Sequence, residues 1–511
     1  MAFSTILRRG LLAAEQTADE TSLLDRPAVH LELAHKPKGN LKYLWAFLAI
    51  ALFLRLWVFH AFPSIYWADE IFQAQEPAHR IVYGTGVVTW EYRLGLRSWV
   101  LPGIVAGVVK ATAWLAPGSS GYIFGTALFF SIISLTTVWF AFSWCRRYFG
   151  MHYALLAAFT TTIWFELVDF GPRALSEVIA GNLLLPAIYW GALECNPKAE
   201  NKKRLFLIGT LLGLSACLRV QLAPAVLLVA LWIMSRNWRA RLPSVGAGML
   251  AMLAIFGAVD AFTWSFPFHS YLSYFTEDIL HHRAAASGTL PWYYYVVALF
   301  VHTGPLVLLA LVGLRRAPIL GWISLAVLLP HSLIAHKEFR YIYLVLPLLL
   351  TLASIGLIDV LQFLARKTKW RLSTMTICLV SAGIVLVTSL GLSAVFPRWH
   401  KASGDLRAFS RLSTDSDACG LAVLGIHWWD TGGYTYLNRP IPIFIFSDKH
   451  DAGSVAPVFN RIVAPQSSEA PLQNYSLLRC QEGICIYERE GTCERGGSQF
   501  EINQYLRQNG D

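Results

Sequence analysis

Charge is scarce in this chain: Asp, Glu, Lys and Arg make up 14% of its 511 residues, against 55% hydrophobic residues and a mean hydropathy of +0.47. That balance excludes an ordinary soluble or disordered protein. The formal charge of +10 does not indicate a nucleic-acid partner either, because many of the bases sit in short clusters between apolar runs, as membrane topology requires. Residues 1–40 are polar and mixed in charge, with no apolar run of the kind a cleaved signal peptide carries, and read as a flexible cytoplasmic tail. The CQEGIC spacing at 480–485 is not followed by a histidine pair, which argues against zinc and for a disulfide or free thiols. Two related halves, a usual mark of a transporter, are also missing.

What is present is a series of apolar segments of roughly 20 residues, the length that crosses a bilayer core of about 30 Å. Spans are expected near 43–62, 122–144, 152–169, 174–192, 205–218, 220–234, 242–262, 293–314, 319–335, 341–361 and 373–396, giving an all-α polytopic membrane protein of about 11 helices. The first serves as a signal anchor. Alternate connections collect the bases: Arg146 and Arg147; Lys198 with Lys202, Lys203 and Arg204; Arg236, Arg239 and Arg241; Arg315 and Arg316; Arg366, Lys367, Lys369 and Arg371. The positive-inside rule makes those loops cytoplasmic. Leu94 to Leu115 is apolar enough to span, but Arg93, Arg97, Pro102 and Lys110 interrupt it and Trp90, Trp99 and Trp114 suit the headgroup boundary, so it is expected to be interfacial. The segment 205–234 is short for two spans and reads as a re-entrant or broken hairpin, with Arg219 at its turn.

The unusual polar residues fall on the opposite side. Asp69 and Glu70, Asp169 with Arg173 and Glu177, Arg219 with Gln221, Asp260, His281 to Arg283 and His336 to Arg340 all belong to the outer set of connections. An acidic pair held at a membrane surface beside the aromatic-rich stretch Tyr66 to Trp99 is a candidate for chemistry on a lipid-linked substrate. Residues 63–121 form a first outer loop with interfacial helices, 41–396 the transmembrane catalytic domain, and 397–511, with strand-like runs LAVLGI and IPIFIF, a small mixed α/β domain on the outer side. Cys419, Cys480, Cys485 and Cys493 all lie in that last segment, where an oxidising compartment permits pairing.

Asp69-Glu70 after the first span, EPAHRIVYGTGVVTWEY at 76–92, LRSW at 96–99, Asp260 with a following Pro-Trp, and HKEFRYIYLVLPLLL at 336–350 together resemble the GT-C glycosyltransferases of family 22. Those are the lipid-phosphate-mannose-dependent α-mannosyltransferases of the GPI-anchor and N-glycan pathways and their bacterial relatives. The resemblance covers roughly residues 40–360. Where the GPI branch often has His-Pro before the acidic pair, this chain has Trp67 and Ala68. The resemblance implies a multi-pass enzyme of the endoplasmic reticulum or bacterial inner membrane, with its site on the lumenal or periplasmic face. It would transfer mannose from polyprenyl-phosphate mannose to a glycolipid or lipid-linked glycan, with inversion and without metal or other cofactor. Asp69 is then the general base and Glu70 its supporting carboxylate. Arg173, Arg219, His336, Lys337 and Arg340 become the donor-phosphate ligands, and Glu76, His79, Trp90, Glu91, Arg97, Asp260 and Glu338 position substrate.

Each residue also has a plainer reading. Asp69 can cap the helix IFQAQEPAHR, with Glu76 and His79 on its solvated face; Trp90 can be an interfacial anchor and Arg173 a snorkelling base paired with Asp169 or Glu177. His281 and His282 suggest a metal pair, but adjacent histidines seldom point the same way. The functional alternatives are a flippase for lipid-linked sugars, or a GT-C enzyme with another donor sugar or a protein acceptor.

Overall fold

The computed structural model of the chain describes residues 41–116, 118–194, 200–235, 237–281, 283, 285, 288–467 and 471–509. The expected tail over 1–40, with Cys195, Lys198, Arg236 and His282, lies outside the described residues.

The apolar runs form helices because a backbone placed in hydrocarbon has to satisfy its own hydrogen bonds. Five described helices are long and apolar enough to cross a membrane: Leu41–Ala61, Ser119–Tyr148, Trp238–Thr263, Val345–Lys367 and Thr374–Val395. Tyr294–Thr303 and Leu306–Leu314 are together apolar enough for a sixth, but they are bent by 107°, the geometry of a broken span or a re-entrant loop. The bend falls where Gly304 adopts φ 55° and Pro305 follows, a pairing that ends one helix and starts the next. Ser176–Glu194 and Lys202–Leu218, with the shorter apolar helices Val100–Leu115, Met151–Ile163, Val220–Met234 and Pro318–Leu333, complete the membrane part. All eleven expected segments are thus helical, but several are short, bent or broken rather than uniform rods.

Two contrasts show how the bundle is arranged. In Leu41–Ala61 only Leu44, Ala51 and Arg55 are buried, so the helix presents most of its surface to lipid. Val345–Lys367 is the opposite, with every residue from Val345 to Ile358 buried. Glycine lets that central helix approach its neighbour closely, since a Cβ at Gly313 would overlap the Leu352 carbonyl and one at Gly356 the Leu309 carbonyl.

Beyond the last long helix the chain forms one five-stranded sheet: β1 (Leu421–Leu424), β2 (Ile443–Phe446), β3 (Arg461–Pro465), β4 (Ser476–Gln481) and β5 (Ile484–Glu488), in the order β2-β1-β3-β5-β4. β1 runs parallel to β2 and β3, while β5 is antiparallel to β3 and β4. Every residue of β1 and β2 is buried, which is why LAVL and IFIF read as unbroken apolar runs rather than alternating ones. Disulfides join Cys419 to Cys493 and Cys480 to Cys485. Cys145, Cys217 and Cys378 are buried and free.

The sheet is docked, not tethered. Ile71, Phe72, Ala78 and Tyr122 from the membrane part share one core with Leu406, Phe409 and Leu437. The Tyr122 hydroxyl donates to the Thr435 carbonyl across that junction.

Candidate active site

Asp69 stands at the N-cap of a short π-helix, Glu70–Gln75, which runs into the helix Glu76–Tyr83. Its side chain makes no capping hydrogen bond. Instead Asp69 Oδ2 lies 2.6 Å from Arg340 Nη1, with 27% of the Asp69 side chain exposed and only 4% of Arg340. The neighbouring carboxylate faces the other way. Glu70 is buried and pairs with Arg173 at 2.5 Å, while Arg173 also binds Asp169 at 2.7 Å and the carbonyl and hydroxyl of Ser64 at 3.1 and 2.9 Å. Two carboxylates therefore share one guanidinium. Burial, reinforced by Asp169 and opposed by Arg173, pushes the Glu70 carboxyl up to about 7.

Arg340 is the hub of the opposite wall. Its Nε and Nη2 form a fork onto Glu338 at 2.8 and 2.9 Å, and Nη1 reaches Glu177 at 3.5 Å as well as Asp69. Burial alone would raise Glu338, but Arg340, His336 and the Tyr341 hydroxyl outweigh it and hold that carboxyl well below its usual range. Glu177 in turn pairs with Arg219 at 3.1 Å, and both Arg219 and Arg340 lie over the Tyr341 ring, at 5.0 and 5.2 Å.

Between these walls opens a cleft of about 90 Å³ lined by Asp69, Gln73, Arg97, Glu177, Arg219 and Gln221, together with the rings of Tyr92, Tyr271 and Tyr274. Two guanidinium nitrogens that line it, Arg97 Nε and Arg219 Nε, are buried with no hydrogen-bond partner, while Arg340 Nη1 is engaged by Asp69. Buried donors left unpaired are costly, and the oxygens of a phosphate can satisfy several guanidinium donors at once. On the other side, a part-exposed carboxylate is placed to accept a proton from a hydroxyl entering the cleft.

The residues expected to share a site divide into groups. Asp69, Arg97 and Arg219 line the cleft, and Arg340 and Glu338 border it through the pairs above. Arg173 lies behind Glu70. His336 is bound to Glu338 at 3.2 Å and to the Gly288 carbonyl at 2.9 Å. Lys337 donates to the carbonyls of Leu290 and Ile334 and does not line the cleft. Asp260 accepts from Ser270 N at 3.0 Å and from its hydroxyl at 2.5 Å, bracing the start of a helix that borders the cleft. Glu91 is buried and accepts from Gln73 at 2.8 Å, and Trp90 lies under Arg283 at 5.3 Å. Glu76 and His79 are not on a solvated face. The Glu76 carboxylate accepts from Thr435 N at 2.5 Å, Thr435 Oγ1 at 2.7 Å and Val87 N at 2.7 Å, while His79 bridges the Thr85 carbonyl and Asn438. Both belong to the junction with the sheet domain.

Sequence reasoning placed Glu177 and Gln221 among the outer polar residues without giving them a site role, and did not single out Gln73 or Tyr341. An acid in the first turn of an apolar helix was the available signal for Glu177. It also missed a buried network behind the acidic segment, in which Glu166 contacts both His302 and Arg398, and the Arg398 guanidinium lies over the rings of Tyr66 and Trp67 at 4.6 and 5.2 Å. Among the described residues a metal-compatible grouping occurs at Asp448, His450 and Asp451, at the surface of the sheet domain and not in the cleft.

A multi-pass helical bundle carrying an acid-and-arginine cleft beside a docked sheet domain is the GT-C architecture. The chain belongs to the Alg9-like mannosyltransferase family, whose model matches residues 45–437, and is a membrane mannosyltransferase. It is similar to GPI mannosyltransferase 3 of Yarrowia lipolytica, with 26% identity over 475 residues covering 90% of this chain and 88% of that one. Mouse GPI alpha-1,2-mannosyltransferase 3 is 23% identical over 329 residues, covering 61% of this chain and 57% of that protein. Among solved structures, ArnT from Cupriavidus metallidurans bound to undecaprenyl phosphate superposes with a TM-score of 0.60 over 90% of this chain and all of that one, at 12% identity. That likeness concerns the fold.

Proposed function

We propose that this chain transfers mannose from a polyprenyl-phosphate donor to a hydroxyl of a glycolipid acceptor of the GPI type, on the lumenal or periplasmic face of the membrane. The carrying observation is the convergence of two unpartnered guanidinium nitrogens, from Arg97 and Arg219, on a cleft whose remaining ionic wall includes the part-exposed Asp69, itself paired with Arg340. The names of the relatives support the acceptor class, and the undecaprenyl phosphate bound to ArnT supports a polyprenyl donor.

In this reading the acceptor oxygen attacks the anomeric carbon while the bond from that carbon to the phosphate oxygen breaks. The acceptor proton passes to Asp69. The electron pair leaves with the polyprenyl phosphate, whose charge Arg219 and Arg340 receive as they release Glu177 and Asp69. One in-line displacement inverts the anomeric centre, so a β-linked donor yields an α-mannoside without a covalent intermediate. Glu70 holds the acidic segment in place through Arg173 and takes no part in proton transfer. Residues 41–396 act as the catalytic membrane domain, 1–40 as a cytoplasmic tail and 397–511 as an outer-side domain.

The test is incubation of purified protein in lipid nanodiscs with radiolabelled polyprenyl-phosphate mannose and a panel of glycolipids. A labelled glycolipid whose formation requires Asp69 is expected. Donor relocated across the bilayer without a new glycolipid would instead indicate a flippase, and label on protein or from a different sugar donor would move the acceptor or donor assignment.

A further inference from the structure

A second cleft, of about 220 Å³, lies on the sheet domain and is lined by Lys401, Asp405, Gly425, Ile426, His427 and Asp430. It adjoins the acidic segment. Lys401 Nζ donates to the Tyr66 carbonyl at 3.4 Å, the Lys401 carbonyl accepts from Ile65 N at 2.9 Å, and Trp428 packs edge-on against Phe72 at 5.0 Å. Tyr66 is three residues from Asp69, a reach of at most about 11 Å along an extended chain.

The chemistry of this cleft is unusual for a structural void. Asp405 is 7% exposed, and its Oδ1 is buried without a hydrogen-bond partner; the same holds for Asp430 Oδ1, whose ion pair with Lys401 is long at 3.8 Å. Burial and the nearby Asp430 push the Asp405 carboxyl up to about 7. Beside the carboxylates, the His427 ring stacks on Trp429 at 4.4 Å and 7°, and Trp429 is 37% exposed. Acceptors without donors, one ammonium and an exposed aromatic face form the combination that suits a pyranose: its hydroxyls donate to carboxylates and its C–H face packs on a ring.

We propose that this cleft is an acceptor subsite that holds a hydroxyl-rich sugar of the glycolipid, set apart from the sugar that receives mannose. The inference rests on the glycolipid-acceptor reading above and deepens it. Asp405 and Asp430 accept from the sugar hydroxyls, Lys401 donates to one, and the His427 ring, held by its stack on Trp429, packs against the sugar ring. The sheet domain then measures the acceptor, while chemistry stays in the cleft beside Asp69.

Two measurements on the full-length protein in nanodiscs test this. First, saturation-transfer NMR with soluble α-linked mannobiose is expected to show contact in the wild type and in Asp69→Asn, and loss of contact in Asp405→Asn/Asp430→Asn and in Trp429→Ala. Contact unchanged in both cleft variants overturns the proposal. Second, the cleft variants are expected to raise KM for a long glycolipid acceptor about tenfold relative to one truncated at the accepting sugar, the effect of losing about one charge-assisted hydrogen bond. An equal loss of kcat on both acceptors would mark a folding defect and overturn the subsite. If mannobiose contact follows the cleft variants but no glycolipid accepts mannose, the sugar subsite stands and the transfer reading fails.

Discussion

Asp69 and Arg340 come from opposite ends of the membrane domain and meet at 2.6 Å over the mouth of the cleft, the carboxylate part-exposed and the guanidinium buried. Arg340 also holds Glu338 in a fork and reaches Glu177. The pairing orients Asp69 at the cleft, and in the proposed reaction it is the contact that an entering anion would exchange.

Asp69→Asn keeps the shape of the side chain and removes its capacity to take a proton. The expected result is a fall in kcat of about 10²–10⁴-fold, the usual contribution of a positioned base, with a smaller drop in thermal midpoint than Arg340→Ala, because Arg340 keeps Glu177 and Glu338. Turnover near the wild-type rate would remove Asp69 from the proton-transfer step.

Arg340→Ala leaves Asp69, Glu177 and Glu338 without their shared cation. Breaking a buried ion pair from one side costs about 3–5 kcal/mol, so a clear drop in thermal midpoint accompanies loss of activity. Arg340→Lys restores the charge but not the fork onto Glu338, and is expected to recover stability more fully than kcat. Equal recovery of both would argue that the guanidinium geometry is unimportant.

Lys337 and Arg219 separate structure from phosphate binding. The Lys337 ammonium donates to the carbonyls of Leu290 and Ile334, so Lys337→Met is expected to lower the thermal midpoint while leaving the donor KM within about twofold. Arg219→Gln, which removes a cleft guanidinium, is expected to raise the donor KM by about tenfold or more, the scale of one charge-assisted contact. The reverse pattern in initial-rate kinetics would reassign the phosphate ligand to Lys337.

Glu70 makes stability depend on pH. Its carboxyl is pushed up to about 7 in the folded chain, above the roughly 4.3 of an unfolded glutamate. Between those values the folded state binds the extra proton, so the folded state loses ground as pH rises from about 4.3 to 7. Glu70→Gln cannot lose that proton. Its thermal midpoint relative to wild type is expected to rise between pH 5 and 7.5, and parallel pH profiles would show that Glu70 titrates normally.

Glu76 joins two domains. Its carboxylate satisfies two backbone amides and one hydroxyl, from Val87 and Thr435, and Glu76→Ala leaves all three donors unpaired at about 1–3 kcal/mol each. Hydrogen exchange is expected to quicken over the short helix Gly433–Leu437 before the membrane helices respond. Exchange unchanged there would mean that the apolar core alone holds the sheet domain.

The membrane helices were legible because their requirement is local. A run such as 373–396 is apolar enough to cross by itself, and the helix found is Thr374–Val395. The bend between Tyr294–Thr303 and Leu306–Leu314 was visible as Gly304-Pro305 but is lost when a span is judged by length alone. Asp69, Arg219 and Arg340 were recognisable as candidates because charge at the end of an apolar segment is costly without a purpose. Glu76 was misread because its buried partners come from Thr435, hundreds of residues downstream, and no spacing near Glu76 announces them.

The amino-acid sequence by itself determined the class of protein, since hydrophobic length and charge placement act segment by segment and need no partner. Which carboxylate of the acidic pair faces the cleft was decided only by tertiary structure. Asp69 and Glu70 are adjacent and chemically alike, and they differ because Arg340 arrives on one side of the π-helix and Arg173 on the other. Those arginines owe their positions to the packing of distant helices, and so does the division between a part-exposed carboxylate and a buried one.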